Sequence, residues 1–317
     1  MPHLTATPPV TLHLGAHRTG TTAVQHLLRR NDEYLAARGI ATWGPDRTRG
    51  GMLGGIGGDP GRIDARRNVR AHRAAGRIAM LRAQLATVGT HRIVLSDENL
   101  LGGLRENLLL CRLYPTVTTR LDRVAAAIPG IDHVVLSIRS PDAWWTSAFA
   151  CLMTRGFAAP DRATLDAVLR TRRSWRAVVT DVAAALPHAR LTVWTHEDMA
   201  TRADAAVHRL TGEVPQVRNV ARLNASPDCA TLQARLLDEG CVTRLPDVAG
   251  HYAPFSPDER ASLRGRYDDD LAWLRDGADG LIEMETPATT SPAEGPFRDR
   301  RPRYGRDRRQ EAMGATG

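Results

Sequence analysis

The chain has 317 residues, 42% of them hydrophobic, enough to bury a full core and a length that suits one large α/β domain. Its formal net charge of +8 suggests a nucleic-acid binder until it is located: residues 298–309 hold seven arginines and two aspartates, so +5 sits there and the rest is only mildly basic. The four cysteines, Cys111, Cys151, Cys229 and Cys241, lie far apart with no C-x-x-C pair, which speaks against zinc ligation and a disulfide framework and points to a reducing compartment.

Residues 1–9 lack the basic-then-apolar layout of a signal peptide and read as a flexible N-terminus. No apolar stretch approaches the roughly 20 residues of a membrane span, so a soluble cytoplasmic protein is expected. Residues 10–14 (VTLHL) are short, β-branched and alternating, and predict a strand. An apolar stripe at helical spacing begins at Ala23 and Val24 and runs through Leu27 and Leu28. Between strand and helix, Gly15 and Gly20 let the backbone bend close to an anion, which the first N–H groups of the helix and its dipole then face. A nucleotide-hydrolysing phosphate loop reads G-x-x-x-x-G-K-[ST], its Lys on the terminal phosphates and its Ser/Thr on Mg²⁺. Here Thr21 takes the Lys position, and the nearest cation is Arg18, inside the loop. That suits one 5′-phosphate carrying a transferable substituent better than a triphosphate with a metal. The chain contains no lysine, so an arginine at this position also follows the overall composition.

The first helix carries Val24, Leu27, Leu28 and Leu35 and is expected to stop near Arg38, with Gly39 as a left-handed cap. Residues 40–43 predict a short second strand. Residues 49–61 are too glycine-rich for a regular element and read as a mobile surface loop, either a lid at a binding site or a plain insertion. From about 68 to 88, Ile78, Leu81, Leu85 and Val88 recur at helical spacing, with Arg73, Arg77 and Arg82 off that stripe and His72 near the helix start. Residues 92–96 predict a buried strand ending in Asp97, Glu98 and Asn99, an acidic pair at the strand end where sheets of this type bind ligands.

Residues 101–128 read as a helix, a loop around Tyr114 and Pro115, and a second helix. Residues 133–139 form another apolar strand, punctuated by Ser140, Pro141 and Asp142, and a helix follows with Trp144, Trp145, Phe149 and Leu152 as packing residues. Arg139 ends the strand and Ser147 follows eight residues later. A guanidinium fork with a hydroxyl can bind phosphate; the alternative is a surface ion pair and a solvent-facing serine. Helices around 165–169 and 175–186 precede the last strand, 191–195, and Glu197 reads as a cap for the next helix. Residues 218–227 form a basic, polar loop before a helix at 228–237. Ser256, Pro257 and Glu259 are an N-cap, a proline at the first helical position and a capping box for a helix presenting Leu263, Tyr267, Leu271 and Leu274. Residues 281–317 read as a disordered, Arg-rich tail, inert and solvated or touching RNA or an acidic surface.

Five strands alternating with helices predict an α/β three-layer sandwich around a mainly parallel sheet, spanning residues 10–280. The run Arg18-Thr19-Gly20-Thr21-Thr22 resembles the 5′-phosphosulfate loop of sulfotransferases that use 3′-phosphoadenosine 5′-phosphosulfate (PAPS), usually Lys-Thr-Gly-Thr-Thr after a strand, with Arg18 in place of the Lys. Arg139 and Ser147 resemble that family's 3′-phosphate site, which separates PAPS from ATP. Residues 196–199 are similar to its short acidic motif, and the loop at 218–227 resembles an Arg/Asn/Ser loop that closes over the nucleotide in bacterial members, making Arg222 a candidate second 3′-phosphate contact. The resemblance covers residues 10–274, and its two motifs carry it; the rest is element order.

The resemblance implies transfer of a sulfuryl group from PAPS to a hydroxyl or amine of a small-molecule, peptide, carbohydrate or lipid acceptor, with no required metal. Backbone N–H groups of Thr19, Gly20, Thr21 and Thr22 would hold the 5′-phosphate while Arg18 offsets charge on the departing oxygen. Glu98 is the chosen general base, since the cytosolic branch of the family carries its catalytic His after the corresponding strand, and partial burial would raise its pKa. Asp97, His72, His17 and Glu33 are its rivals, and a helix-capping role for Glu98 is the alternative. Two other classes compete. A P-loop kinase or NTPase is opposed by the absent loop Lys and by the want of a convincing strand ending in a metal-binding Asp; a nucleotide-binding or RNA-binding protein without catalysis is the other.

Overall fold

Five parallel strands, β1 (Val10–Gly15), β2 (Ile40–Trp43), β3 (Arg92–Ser96), β4 (Ile131–Ile138) and β5 (Arg190–Thr195), form one sheet in the order β2-β3-β1-β4-β5. The computed structural model describes residues 7–218, 228–238, 240, 245 and 250–282. Each interior strand is buried on both faces, which is why the sequence shows apolar runs such as residues 93–95 and 134–136. Leu12 sits level with Leu95 of β3 and Val134 of β4, at the centre of the sheet.

The helices divide between the two faces. On one side α1 (Thr21–Arg30), α2 (Asp32–Ala36) and α11 (Ala203–Thr211) pack Val24, Leu27, Leu35, Val207 and Leu210 against Val94, Val135 and Trp194. His13 of β1 faces this layer, where burial lowers its pKa to about 4 and keeps it neutral; its Nδ1 pairs with the Ser96 hydroxyl at 2.8 Å. The larger core lies on the other side, against Leu12, Leu95, Val134 and Leu136. It is built from α4 (Ala65–Thr87), α6 (Val117–Ala127), α7 (Pro141–Met153), α8 (Arg162–Arg170), α9 (Trp175–Ala185), α12 (Cys229–Asp238) and α13 (Pro257–Arg275). Shorter helices, α3 (Pro45–Arg47), α5 (Leu104–Leu110) and α10 (His196–Met199), fill connections. The fold is therefore the α/β sandwich expected from the sequence.

Strand order fixes the site. The chain leaves β1 towards β2 on one side and leaves β4 towards β5 on the other, so the carboxyl ends of β1 and β4 flank a topological switch point, the crevice where open parallel sheets bind ligands.

Three expectations need correction. The first helix is broken: Asn31 ends α1 with its side-chain amide on the Leu27 carbonyl, and α2 follows, before Gly39 takes the expected left-handed turn at φ 71°. The buried face of α4 is not the Ile78, Leu81, Leu85, Val88 stripe. Ala74, Ile78, Arg82 and Ala86 are buried while Val88 is 76% exposed. The reason is Arg82, whose stem lies inward and whose guanidinium donates to the carbonyls of Pro8 and Pro129. Finally, the glycine-rich stretch contains a short π-turn, Thr48–Met52, and a 3₁₀ turn, Pro60–Arg62, with Leu53 and Ile56 buried in the larger core. It is a packed segment.

Candidate active site

The β1–α1 loop is held from all sides by its own hydroxyls and by buried aromatics. Thr19 Oγ1 donates to the Ala16 carbonyl at 2.6 Å and Thr21 Oγ1 to the same oxygen at 3.3 Å. Gly15 is required because a Cβ there would lie 2.2 Å from Thr21 Oγ1. Arg18 and Gly20 both adopt left-handed backbone, at φ 65° and 86°, a conformation strained for arginine and natural for glycine. α1 then starts with no side-chain cap and no acidic residue in its first turn, so the positive end of its dipole is not offset locally.

Beneath the loop, Trp144 Nε1 donates to the His17 carbonyl at 2.7 Å and Trp175 Nε1 to the Arg139 carbonyl at 2.7 Å. The tryptophans are fully buried and pack edge-on, as expected of packing residues. The Tyr114 hydroxyl accepts from the His17 amide at 2.8 Å and meets His17 Nδ1 at 3.0 Å, while His17 Nε2 meets Asn99 Oδ1 at 3.1 Å. With its single proton, the hydroxyl donates to Nδ1, which leaves the His17 proton on Nε2, donated to Asn99. Burial lowers the His17 pKa against the opposing pull of Glu98, so this imidazole is neutral and both nitrogens are engaged.

The candidate anion-binding residues come together at the switch point. Arg18 Nε donates to Ser147 Oγ at 2.8 Å, and Arg139 Nη1 donates to the Arg18 carbonyl at 2.9 Å. Ser147 is 3% exposed, so it does not face solvent. Burial lowers the pKa of Arg18, which stays well inside the charged range for a guanidinium. Arg222 lies outside the described residues, as does Cys241.

Glu98 follows β3 and lies beside α1. Its Oε2 accepts from Gln25 Nε2 at 2.8 Å and its Oε1 from Arg49 Nη2 at 2.8 Å. Burial alone would raise its pKa; the hydrogen bonds from Arg49 and Gln25 and the charge of Arg49 outweigh it, and the carboxyl is held below its usual value. The expected rise is therefore reversed. Capping of the short turn after β3 falls to Asp97, which accepts from the Asn99 amide at 3.0 Å, and not to Glu98. Asp97 is further satisfied by Thr48 Oγ1 at 2.5 Å and Arg49 Nη2 at 2.7 Å. His72 is exposed on α4 and Glu33 exposed on α2, and among the described residues no hydrogen bond joins either to the loop. Glu197 reaches away from its own helix: its carboxylate accepts from the Ser140 amide and from the Tyr267 hydroxyl, so it buttresses α7.

A cleft of about 380 Å³ is lined by Thr48, Arg49, Leu53, Asp97, Asn99, Leu100 and Arg120, together with glycine backbone of the 49–61 segment; Glu98 lies between two lining residues in sequence and does not itself line it. Among the described residues no cluster of His, Cys, Asp and Glu is arranged to hold a metal. No helix there is long and apolar enough to cross a membrane. Sequence reasoning missed Arg49, Gln25, Asn99 and Tyr114. Position gave a signal for Asn99, at the strand end where such sheets bind ligands, for Arg49, in the stretch read as a lid or an insertion, and for Gln25, one turn into α1 from the loop; Tyr114 had none.

No family model matches the chain, and no curated protein matches it in sequence. Among solved structures it is similar to the sulfotransferase from Alicyclobacillus acidocaldarius, at 15% identity and a TM-score of 0.42, covering 88% of this chain and 97% of that one.

Proposed function

We propose that the chain is a sulfotransferase that transfers a sulfuryl group from PAPS to an acceptor hydroxyl or amine. One observation supports the reading: at the crevice between β1 and β4, Arg18 reaches Ser147 at 2.8 Å and Arg139 reaches the Arg18 backbone at 2.9 Å, so the residues of both candidate phosphate-binding groups lie side by side near a helix start without a side-chain cap. The donor chemistry fits a nucleotide with two separate phosphate groups: guanidinium and hydroxyl at one end, helix N–H groups from Thr19 to Thr22 at the other. Bound PAPS would supply an activated sulfuryl group, whose bond to the 5′-phosphate oxygen breaks as a bond to the acceptor oxygen or nitrogen forms.

The roles of the residues follow from their chemistry. Arg18 compensates the charge left on the departing phosphate oxygen, from a loop whose backbone is left-handed at Arg18 and Gly20. Glu98 is ionised at neutral pH, and its carboxylate takes the acceptor proton on a lone pair not used by Arg49 or Gln25. The adjacent cleft admits the acceptor. A kinase or NTPase needs a loop Lys and an Asp free to hold a metal; Thr21 stands in the first place, and Asp97 already accepts from Thr48, Arg49 and Asn99.

The reading is tested by incubating the protein with sulfur-labelled PAPS and fractionated cell extract. Label transferred to a product by the parent and not by Arg18→Ala supports it; label that stays on the donor in every fraction contradicts it.

A further inference from the structure

α4 carries six arginines and one histidine over 23 residues and no acidic residue. Two of the arginines, Arg67 and Arg82, are buried on backbone carbonyls. The other four, Arg66, Arg70, Arg73 and Arg77, are exposed and fall at i, i+4, i+7 and i+11, so they share one narrow face about 16 Å long. Among the described residues none of the four has a carboxylate partner, whereas ten other arginines take part in ion pairs.

This face adjoins the cleft. Gly55 presses on α4 so closely that a Cβ would lie 2.5 Å from the Arg67 carbonyl, and Arg77 Nη2 approaches the Gly51 carbonyl at 3.4 Å. The glycine segment thus has the arginine face on one side, and its Gly51, Gly54, Gly57 and Gly58 line the cleft on the other. More positive charge stands behind it: Arg120 donates to the Gly58 carbonyl and Arg123 to the Gly55 carbonyl. The pKa of Arg67 is lowered by burial and then by the charges of Arg123, Arg120 and Arg70, a sign of crowded like charge. Neutral groups hold Arg67 and Arg123 in place without cancelling their charge, whereas Arg120 is also paired with Glu106 at 2.8 Å and adds little to the excess.

Resting on the sulfotransferase reading, we propose that Arg66, Arg70, Arg73 and Arg77 form the docking surface for an acidic oligosaccharide, bearing carboxylates or sulfates, one of whose hydroxyls enters the neighbouring cleft as the acceptor. Arginine forks suit planar carboxylate and tetrahedral sulfate groups alike. The cleft lining contains no aromatic side chain for base stacking, which disfavours RNA. Its glycine walls offer peptide groups to hydroxyls and form no apolar cup for an aromatic ring.

The test uses the full chain at low salt, with a fluorescent dextran sulfate oligosaccharide, polyglutamate, polyuridine and phosphatidylserine vesicles as probes. The variant Arg66→Gln, Arg70→Gln, Arg73→Gln, Arg77→Gln is set beside a charge-matched control at four other exposed arginines, Arg30, Arg105, Arg235 and Arg275. The oligosaccharide is expected to bind the parent in a salt-sensitive way and to bind the α4 variant about tenfold or more weakly, the sum of four exposed charge pairs. The control should bind nearly as the parent. Unchanged binding by the α4 variant, equal loss in the control, or tighter capture of polyuridine, polyglutamate or vesicles through the same arginines overturns the proposal. Stabilisation by 3′-phosphoadenosine 5′-phosphate, measured on each protein, separates the two claims. If the parent lacks it, the sulfotransferase reading fails; if it is intact while oligosaccharide binding is insensitive to the α4 changes, only the docking surface fails.

Discussion

Arg18 and Ser147, 129 positions apart in the sequence, meet at 2.8 Å, the arginine Nε donating to the serine hydroxyl. This bond ties the β1–α1 loop to α7 and makes the two candidate anion sites a single unit. Removing it by Ser147→Ala takes one acceptor from a half-buried guanidinium, at a cost of about 1–3 kcal/mol. Urea denaturation should show that loss, and 3′-phosphoadenosine 5′-phosphate should bind about tenfold more weakly. A variant with the parent's midpoint and affinity would remove Ser147 from the account.

The two loop glycines should respond differently to alanine. At Gly15 the added Cβ would stand 2.2 Å from Thr21 Oγ1 and 3.0 Å from its Cβ, an overlap expected to cost about 1–3 kcal/mol or more and to distort the start of α1. At Gly20 the nearest atom is 3.8 Å away, and the cost is the left-handed backbone alone, about 1–2 kcal/mol. Thermal unfolding of Gly15→Ala and Gly20→Ala checks the order; equal stability with nucleotide binding kept in both would contradict the loop geometry.

Glu98 and Arg49 give a pH signature. Because the folded pKa of Glu98 is depressed, its contribution to stability is complete above pH 4.5 and is lost as pH falls through the lower folded value. Arg49→Gln removes the cause, so the stability gap between parent and variant should be widest near neutrality and close below pH 4.5. The acid limb of the transfer rate should likewise lie below pH 4.5 in the parent and move up in the variant. Glu98→Gln should cut turnover by about 10²–10⁴ with nucleotide binding unchanged. Turnover at the parent rate would assign the proton to another group.

Tyr114 is completely buried beneath the loop, with its hydroxyl on the His17 amide and ring. Tyr114→Phe leaves that amide unsatisfied, and a loss of about 1–3 kcal/mol is expected by chemical denaturation. Faster amide exchange at His17 and Arg18 would show that the loop itself has loosened; unchanged exchange would mean that Tyr114 serves packing only.

Much of the fold was readable because parallel strands buried on both faces announce themselves as apolar runs, and because the Ser256 to Glu259 capping box that opens α13 is a local signal. What was not readable depended on long-range partners. The inward turn of Arg82 follows from two carbonyls, at Pro8 and Pro129, that no helical periodicity encodes. The depressed pKa of Glu98 follows from Arg49, supplied by a glycine-rich stretch that local composition marks as irregular. The strand-end residues Arg139 and Glu98 could be placed at the crevice because strand ends lie there in any sheet of this topology. That Arg18 would be the joint between Arg139 and Ser147 could not.

The central claim, that two phosphate-binding constellations meet at this crevice, is tested most directly by thermal shift with 3′-phosphoadenosine 5′-phosphate against adenosine 5′-phosphate. At a hundredfold excess over its dissociation constant the doubly phosphorylated nucleotide should add about 2.7 kcal/mol, several degrees for a chain of this size. Adenosine 5′-phosphate should add clearly less, and Arg139→Ala should erase the difference. Equal shifts with the two nucleotides in the parent, or a preference that survives Arg139→Ala, would contradict the account.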